Sequence, residues 1–396
     1  MQRRTLLKLA AAPLILGSVR LMAAGPDKQR LLVVFMRGAY DCNNLLVPTS
    51  SDFYYESRPT IAIAKPGEGP DAALPLEDGW SLHPAMRDTL LPIYQAHQLA
   101  FIPFAGTADL SRSHFETQNG IELGRPGGPD NKYRSGFLNR LAVMLTKDST
   151  RPVSFTSDLP QIWRGEDRVP NIDLGNVRQR KGLTHASAHA IESMYSDTEL
   201  SEAVSTGIRL NTMARRDLAN EMRRANGKAM HSSQLEQEAA RVGRFMADRY
   251  NLAFIDVGGW DTHVVQGGAK GVLANKLAQL SRALVSYKNA LGSAWRDTTV
   301  VVISEFGRTF RENGNKGTDH GHGTVYWVLG GNVQGGRIAG RQVDVRRETL
   351  FQDRDYPVLN DYRALFAGLF SRLYGLDAKR LDQIFPGVRA QDLNLV

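Results

Sequence analysis

The run Thr298–Ser304 (TTVVVIS) is dominated by β-branched residues and stops abruptly at Glu305. A continuous run of this kind, without polar alternation, suits a strand buried on both faces, as inside parallel sheets. The pattern recurs along the chain. Leu31–Met36 (LLVVFM) stops at Arg37-Gly38-Ala39-Tyr40-Asp41, Leu99–Phe104 at the loop Ala105–Arg112, and Leu252–Val257 at Gly258-Gly259-Trp260-Asp261. Pro152–Thr156 and Val325–Leu329 read as further strands. Helical spacing fills the intervals: Leu82–His97, a helix opening near Ser113, Tyr133–Leu145, Gly271–Leu291 and a closing helix Tyr362–Tyr374. This alternation predicts an α/β fold: a doubly wound, mostly parallel sheet with helices on both faces. Residues 48–81, rich in Pro, Gly, Ser and acids, predict loop. The polar region 185–250, with helix-prone Thr206–Arg224 and Ser233–Arg249, predicts a helical insertion covering one side.

The first residues read differently. Met1-Gln2-Arg3-Arg4-Thr5-Leu6-Leu7-Lys8 precedes an apolar stretch from Leu9 to Gly17, and small residues follow at Ala23, Ala24 and Gly25. A basic head, a short apolar middle and a small-residue exit form a secretory signal, and the paired arginines make it the twin-arginine kind. The apolar stretch is short of the ~20 residues that span a bilayer. The expectation is a signal peptide at 1–24 cleaved near Ala24, a periplasmic protein, and one α/β domain over 25–396. The membrane enters only for export. The formal charge of +8 includes Arg3, Arg4, Lys8 and Arg20, so the mature chain carries about +4, with no basic block interleaved with aromatics. Nucleic acid is therefore not an expected partner. Cys42 is the sole cysteine, which excludes an intrachain disulfide.

In parallel α/β sheets, chemistry gathers beyond the carboxyl ends of the strands. Four segments there carry suspicious residues: Arg37–Asp41; Ser111-Arg112-Ser113-His114-Phe115-Glu116; Gly258-Gly259-Trp260-Asp261-Thr262-His263; and Ser304-Glu305-Phe306-Gly307-Arg308 continuing to Thr318-Asp319-His320-Gly321-His322-Gly323. Four histidines of nine fall in them, each near an acid or a hydroxyl. Imidazoles and carboxylates converging from several strand ends are what zinc or manganese requires. Asp261 and His263 share a face if their segment is extended. Ser113 also fits as a plain helix N-cap, with Glu116 completing a capping box.

The combination RGAYDCNNLLVP, SRSHFETQ, GGWDTH, SEFGRT and TDHGHG resembles the exported family catalogued as domain of unknown function 1501. The likeness runs from about Leu31 to the DYRALFAGLF segment. That family is similar in turn to the alkaline phosphatase superfamily, which includes arylsulfatases. The resemblance implies an alkaline phosphatase-like fold with two metal sites at the strand ends, holding divalent ions: zinc, manganese or magnesium. It implies Asp41 as a ligand at the first strand, Ser113 as nucleophile, Asp261 and His263 as a second ligand pair, and His320 or His322 as the late histidine, beside Asp319. Glu305 follows the strand that ends in Asp-His in the superfamily. Phe306 fills the histidine slot, for which His114 would substitute.

The expected activity is metal-dependent displacement at a phosphate-type ester, with sulfate less favoured, because Arg112–Glu116 lacks the C/S-x-P-x-R setting of arylsulfatases. Arg37, Arg112 and Arg308 are candidates to pair with non-bridging oxygens. The substrate would be a small anionic ester or a surface polymer. The alternative is a catalytically inactive, metal-stabilised assembly or binding factor with a periplasmic partner.

Overall fold

The computed structural model describes residues 29–77, 79–126, 133–145, 150–174, 185–196, 198–209, 212 and 234–396. The expected signal peptide at 1–24 and most of the expected helix Thr206–Arg224 lie outside the described residues. Among the described residues, eleven strands follow in chain order: β1 (Arg30–Met36), β2 (Leu46–Pro48), β3 (Leu74–Pro75), β4 (Trp80–Leu82), β5 (Leu99–Gly106), β6 (Pro152–Ser154), β7 (Leu252–Val257), β8 (Thr298–Ser304), β9 (Thr324–Gly330), β10 (Arg337–Ile338) and β11 (Asn360–Asp361). The helices are α1 (Asp52–Ser57), α2 (Leu90–Gln95), α3 (His114–Leu123), α4 (Phe137–Leu145), α5 (His185–Tyr195), α6 (Gln234–Asp248), α7 (Val272–Leu291), α8 (Tyr362–Tyr374) and α9 (Ala378–Ile384).

The main sheet has the order β10-β5-β9-β8-β1-β7-β6, with β11 also paired to β5. Every pairing is parallel except those of β9, which runs against both neighbours. The two faces can be read from alternation along the strands. Leu31, Val33, Phe35, Val301 and Ile303 join one core with α4, α8 and α9. Leu32, Val34, Met36, Val300 and Val302 join the other, beneath α6 and α7. On α7 the buried residues Leu273, Leu277, Leu280, Leu284, Tyr287 and Leu291 recur every three or four positions, one apolar stripe against the sheet. Helices cover both faces, as predicted. None among the described residues is long and apolar enough to cross a membrane.

The structure departs from the sequence reading in two stretches. Residues 48–81 carry α1 and much of a small antiparallel sheet, β2-β4-β3. Its strands are two or three residues long, too short to leave a periodic signal. The expected helix Leu82–His97 is broken into the end of β4, a single 3₁₀ turn at Pro84–Met86 and α2. His83 begins the break: its Nδ1 accepts from the Ala85 amide, and Pro84 behind it cannot serve a helix interior.

Strand ends determine where the site forms. Met36, Val257 and Ser304 lie in register, so the chain leaves β1, β7 and β8 at one edge. Ala105 pairs with Thr324, so β5 ends and β9 begins at that same edge.

Candidate metal centre

Three imidazoles meet at this edge. His114 opens α3, His263 lies on the loop after β7, and His320 lies on the loop that joins β8 to β9. His114 Nε2 is 3.0 Å from His320 Nε2, and His263 Nε2 is 3.1 Å from the same atom. Asp261 completes the group. Its carboxylate stands 2.9 Å from His263 Nε2, 3.4 Å from His320 Nε2 and 3.6 Å from His114 Nε2. Ligand-type atoms of His114, Asp261 and His320 all fall within 4.8 Å of one another.

The protons can be assigned from the opposite ring nitrogens. His320 Nδ1 is 3.0 Å from the Arg112 carbonyl, which can only accept. His114 Nδ1 is 2.7 Å from Glu305 Oε1, and His263 Nδ1 is 3.2 Å from Asp319 Oδ1. Each Nδ1 therefore donates, and in each neutral ring Nε2 is left with its lone pair. Three lone pairs and a carboxylate facing one another are repulsive unless a cation or an added proton lies among them. Arg308 agrees with this assignment. Its Nη1 is 3.4 Å from His263 Nε2 and, being always a donor, meets an unprotonated nitrogen there.

Electrostatics favour the anionic partners. Burial works against the charge on Asp261, but Arg308, His263 and His320 outweigh it and hold the carboxyl below its usual range. Arg308 Nη2 donates to Asp261 Oδ1 at 2.5 Å. Glu305 is fully buried. Burial again opposes its charge, yet hydrogen bonds from His114, Gln118, its own amide and the Gly38 amide keep its carboxyl depressed. The Glu305 hydrogen bond raises the His114 pKa against the burial cost. Burial lowers that of His320, and the charges of His114 and Arg308 add to the effect.

Glu305 thus stands behind His114, as an acceptor that fixes its ring, with Asp319 doing the same for His263. Phe306 is 3 % exposed. Its ring stacks on His114 at 5.0 Å and lies 5.3 Å from His320, so it walls in two imidazoles. Gly38 has φ +117°, and a Cβ there would sit 2.8 Å from the Asp261 amide. Only glycine allows that approach.

Other residues singled out from the sequence are engaged in contacts of their own. Asp41 is fully buried and its carboxylate is taken by Arg58, at 2.5 and 3.0 Å, and by Gln266 at 2.6 Å. Asp41 therefore does not join the histidines. Arg37 is spent on Asp256, Gln118 and Glu122. His322 is buried against Phe351, and burial with the nearby Arg112 charge takes its pKa down to about 4. Ser113 caps α3 by accepting from the Glu116 amide, while its own amide donates to Ser111 Oγ; this is a cap without the reciprocal half of a capping box.

Gln118, Asn313 and Gln266 went unnoticed in the sequence. Gln118 had a legible signal, lying four residues after His114 on one helix face. Asn313, which donates to Asp319 Oδ1 at 3.0 Å, and Gln266 had none.

No curated protein matches the chain. Solved structures do, at low similarity. An alkaline phosphatase superfamily protein from Vibrio parahaemolyticus is 12% identical, with 92% of this chain and 69% of that one covered and a TM-score of 0.40. The lipoteichoic acid synthase LtaP from Listeria monocytogenes is 8% identical, with 93% and 76% covered and a TM-score of 0.39. The C-terminal periplasmic domain of EcEptC from Escherichia coli, in complex with Zn, is 11% identical, with 93% and 92% covered and a TM-score of 0.31. The family profile described as protein of unknown function (DUF1501) matches residues 28–385, most of the sequence, and the chain belongs to that family.

Proposed function

We propose that this chain is an exported metal-dependent hydrolase or transferase of phosphate-type esters, with one divalent ion at the histidine cluster. The observation that carries the reading is the set of three imidazoles whose Nδ1 atoms are all engaged by acceptors while their Nε2 atoms converge beside Asp261. His114, His320 and Asp261 would hold the ion, with His263 as a further donor. A nitrogen-rich set with one carboxylate suits zinc ahead of magnesium. When bound, the ion would act as a Lewis acid toward an anionic ester.

The chain's own residues supply the rest. Arg308 is fully buried and holds Asp261; Arg112 pairs with Asp355 at 2.7 Å but is only half-buried, and its guanidinium is the candidate to meet phosphate oxygens. Ser113 precedes His114 at the start of α3, where helix amides favour an anion. In the proposed displacement Ser113 Oγ bonds to phosphorus as the bond to the ester oxygen breaks; the hydroxyl proton goes to solvent, the departing alkoxide takes a proton from solvent, and water or an acceptor alcohol then displaces Ser113 from phosphorus. Asp41 keeps to its ion pair with Arg58 and takes no part in holding the ion. Periplasmic destination rests on the twin-arginine leader. The inactive, metal-stabilised alternative is separated by turnover itself.

The test is elemental analysis of protein exported in its native host, followed by a panel of phosphomonoesters, phosphodiesters and sulfate esters. One zinc per chain with turnover is expected. His320→Ala should strip the metal, and Ser113→Ala should retain it and abolish turnover. Full metal content in His320→Ala would refute the site.

A further inference from the structure

A fully buried glutamine connects two of the loops that carry the ligands. Gln266 Oε1 accepts from Thr262 Oγ1 at 3.0 Å and from Thr318 Oγ1 at 3.1 Å, while its Nε2 donates to Asp41 Oδ2 at 2.6 Å. Thr262 lies between Asp261 and His263, and Thr318 directly precedes Asp319 and His320. One side-chain amide therefore reaches both ligand segments and the buried Asp41–Arg58 pair. The two backbones run together as well. The Thr318 amide donates to the Thr262 carbonyl at 3.2 Å, and the Val265 and Gln266 amides donate to the carbonyls of Asn315 and Lys316 at 2.9 and 3.0 Å.

The contact fixes direction. Thr262 and Thr318 are buried, whereas Asp261, His263, Asp319 and His320 all reach the surface. Each threonine thus faces the interior while its neighbours face the cluster, and holding the threonine holds their aim. The Gln266 amide fits only one way. A carboxylate paired with Arg58 accepts and does not donate, so Nε2 turns to Asp41 and Oε1 to the two hydroxyls, which donate to it. The chain bends back under strain to make this contact. Val265 has φ +47°, a left-handed conformation that β-branched residues avoid, and such strain persists where the surroundings over-determine it. Apolar packing would fill the same space without fixing the angle at which two loops meet; a buried hydrogen-bond network does fix it.

Resting on the reading of the histidine cluster as a metal centre, we propose that Gln266 is a positioning residue for it: the side chain sets the spacing between Asp261–His263 and Asp319–His320 and anchors both segments on Asp41 and Arg58. Gln266 itself touches neither ion nor substrate. Its effect reaches the centre because Asp261 and His320 come from the two loops it joins, and their ligand atoms meet 3.4 Å apart. The Asp41–Arg58 pair acquires a purpose from this, as the fixed point from which both loops are held.

Zinc affinity from competitive chelator titration, set beside urea unfolding of the metal-free chain, tests this. Gln266→Met keeps the length of the side chain and removes both ends of the amide, so zinc affinity should fall about 10- to 100-fold, as when outer partners of metal ligands are removed. Thr262→Val and Thr318→Val each delete one hydroxyl at nearly constant shape and should lower affinity about two- to tenfold, the worth of one hydrogen bond. Thr262→Ser and Thr318→Ser keep the hydroxyl and should keep the parent affinity. In the Gln266→Met background Thr262→Val should add no further loss, because the acceptor is already gone. If Gln266→Met does not fold, the valine and serine variants decide. Valine variants that lose stability with zinc affinity unchanged overturn the inference, since the glutamine would then only support the fold, and the metal centre stands. Equal losses from serine and valine overturn it too. A parent chain that takes up no zinc overturns the metal reading itself and the positioning role with it.

Discussion

Replacing Glu305 by glutamine separates the charge of that group from its shape. Oε1 accepts three donors: His114 Nδ1 at 2.7 Å, the Gly38 amide at 2.8 Å and Gln118 Nε2 at 2.8 Å. Oε2 faces Ser304 Oγ at 2.9 Å, and that hydroxyl also stands 2.7 Å from the Met36 carbonyl. In Glu305→Gln the amide oxygen keeps all three donors. The new NH2 can donate to Ser304 Oγ, whose proton then serves the Met36 carbonyl. Among the described residues, the second N–H of the new amide has no acceptor beside it in this buried site, so about 1–3 kcal/mol of stability goes with the charge behind His114. Zinc affinity should fall about 10- to 100-fold, as when other partners of ligating histidines are removed, or roughly 1.4–2.7 kcal/mol. Glu305→Ala differs, because it strands three buried N–H groups at about 1–3 kcal/mol each and should cost several kcal/mol of stability. Competitive chelator titration gives the affinity, and the visible spectrum of the cobalt form gives the number and type of ligands. Unchanged affinity in Glu305→Gln would refute the reasoning. So would a cobalt spectrum that loses an oxygen donor, since Glu305 would then be a ligand itself.

Three further expectations follow from the same geometry. Gly38→Ala puts a Cβ 2.8 Å from the Asp261 amide at φ +117°, so it should cost at least about 1–3 kcal/mol in strain and weaken zinc binding by displacing Asp261; an unchanged melting temperature with unchanged affinity would contradict this. Arg58→Met leaves Asp41 charged, buried and without its main partner, at about 3–5 kcal/mol, measurable by urea unfolding, whereas Asp41→Asn should leave zinc stoichiometry unchanged, and loss of the ion there would return Asp41 to the ligand set. Burial lowers the His83 pKa from 6.5 to about 4, so the unfolded chain binds more protons in between. Stability is then full above pH 6.5 and is lost as pH falls toward 4, by about 3 kcal/mol from this group. His83→Asn retains a cap acceptor for the Ala85 amide and should flatten that part of the urea midpoint profile; a profile as steep as the parent's would assign the loss elsewhere.

The sheet, its two covered faces and the edge that bears the site were legible because buried strands leave unbroken apolar runs whose polar ends mark one rim. The metal-type residues were legible as a set and less so as individuals. Asp41 sits where the resemblance put a ligand, yet Arg58 lies 17 residues on, in a stretch that reads as loop, and nothing local announces that a guanidinium will be buried against it. His320 and His322 are equivalent on paper. Their difference comes from the bridge of His320 with Arg308 and from the packing of His322 on Phe351, both tertiary. Phe306 looked like a missing ligand because its role is to stack on imidazoles brought from distant parts of the chain.

The reversed direction of β9 has a consequence for how the centre assembles. Because β8 ends and β9 begins at the same rim, the chain between them returns on itself. The Thr309 amide donates to the Asp319 carbonyl and the Gly321 amide to the Gly307 carbonyl, at 2.9 and 2.8 Å. This excursion can close through contacts near in sequence, early and cheaply in entropy. His114 and Asp261 come from far along the chain and arrive only when the whole sheet has formed. Asp319 and His320 are then in place to receive them, and the ion binds the finished fold alone, so metal loading reports the completion of folding.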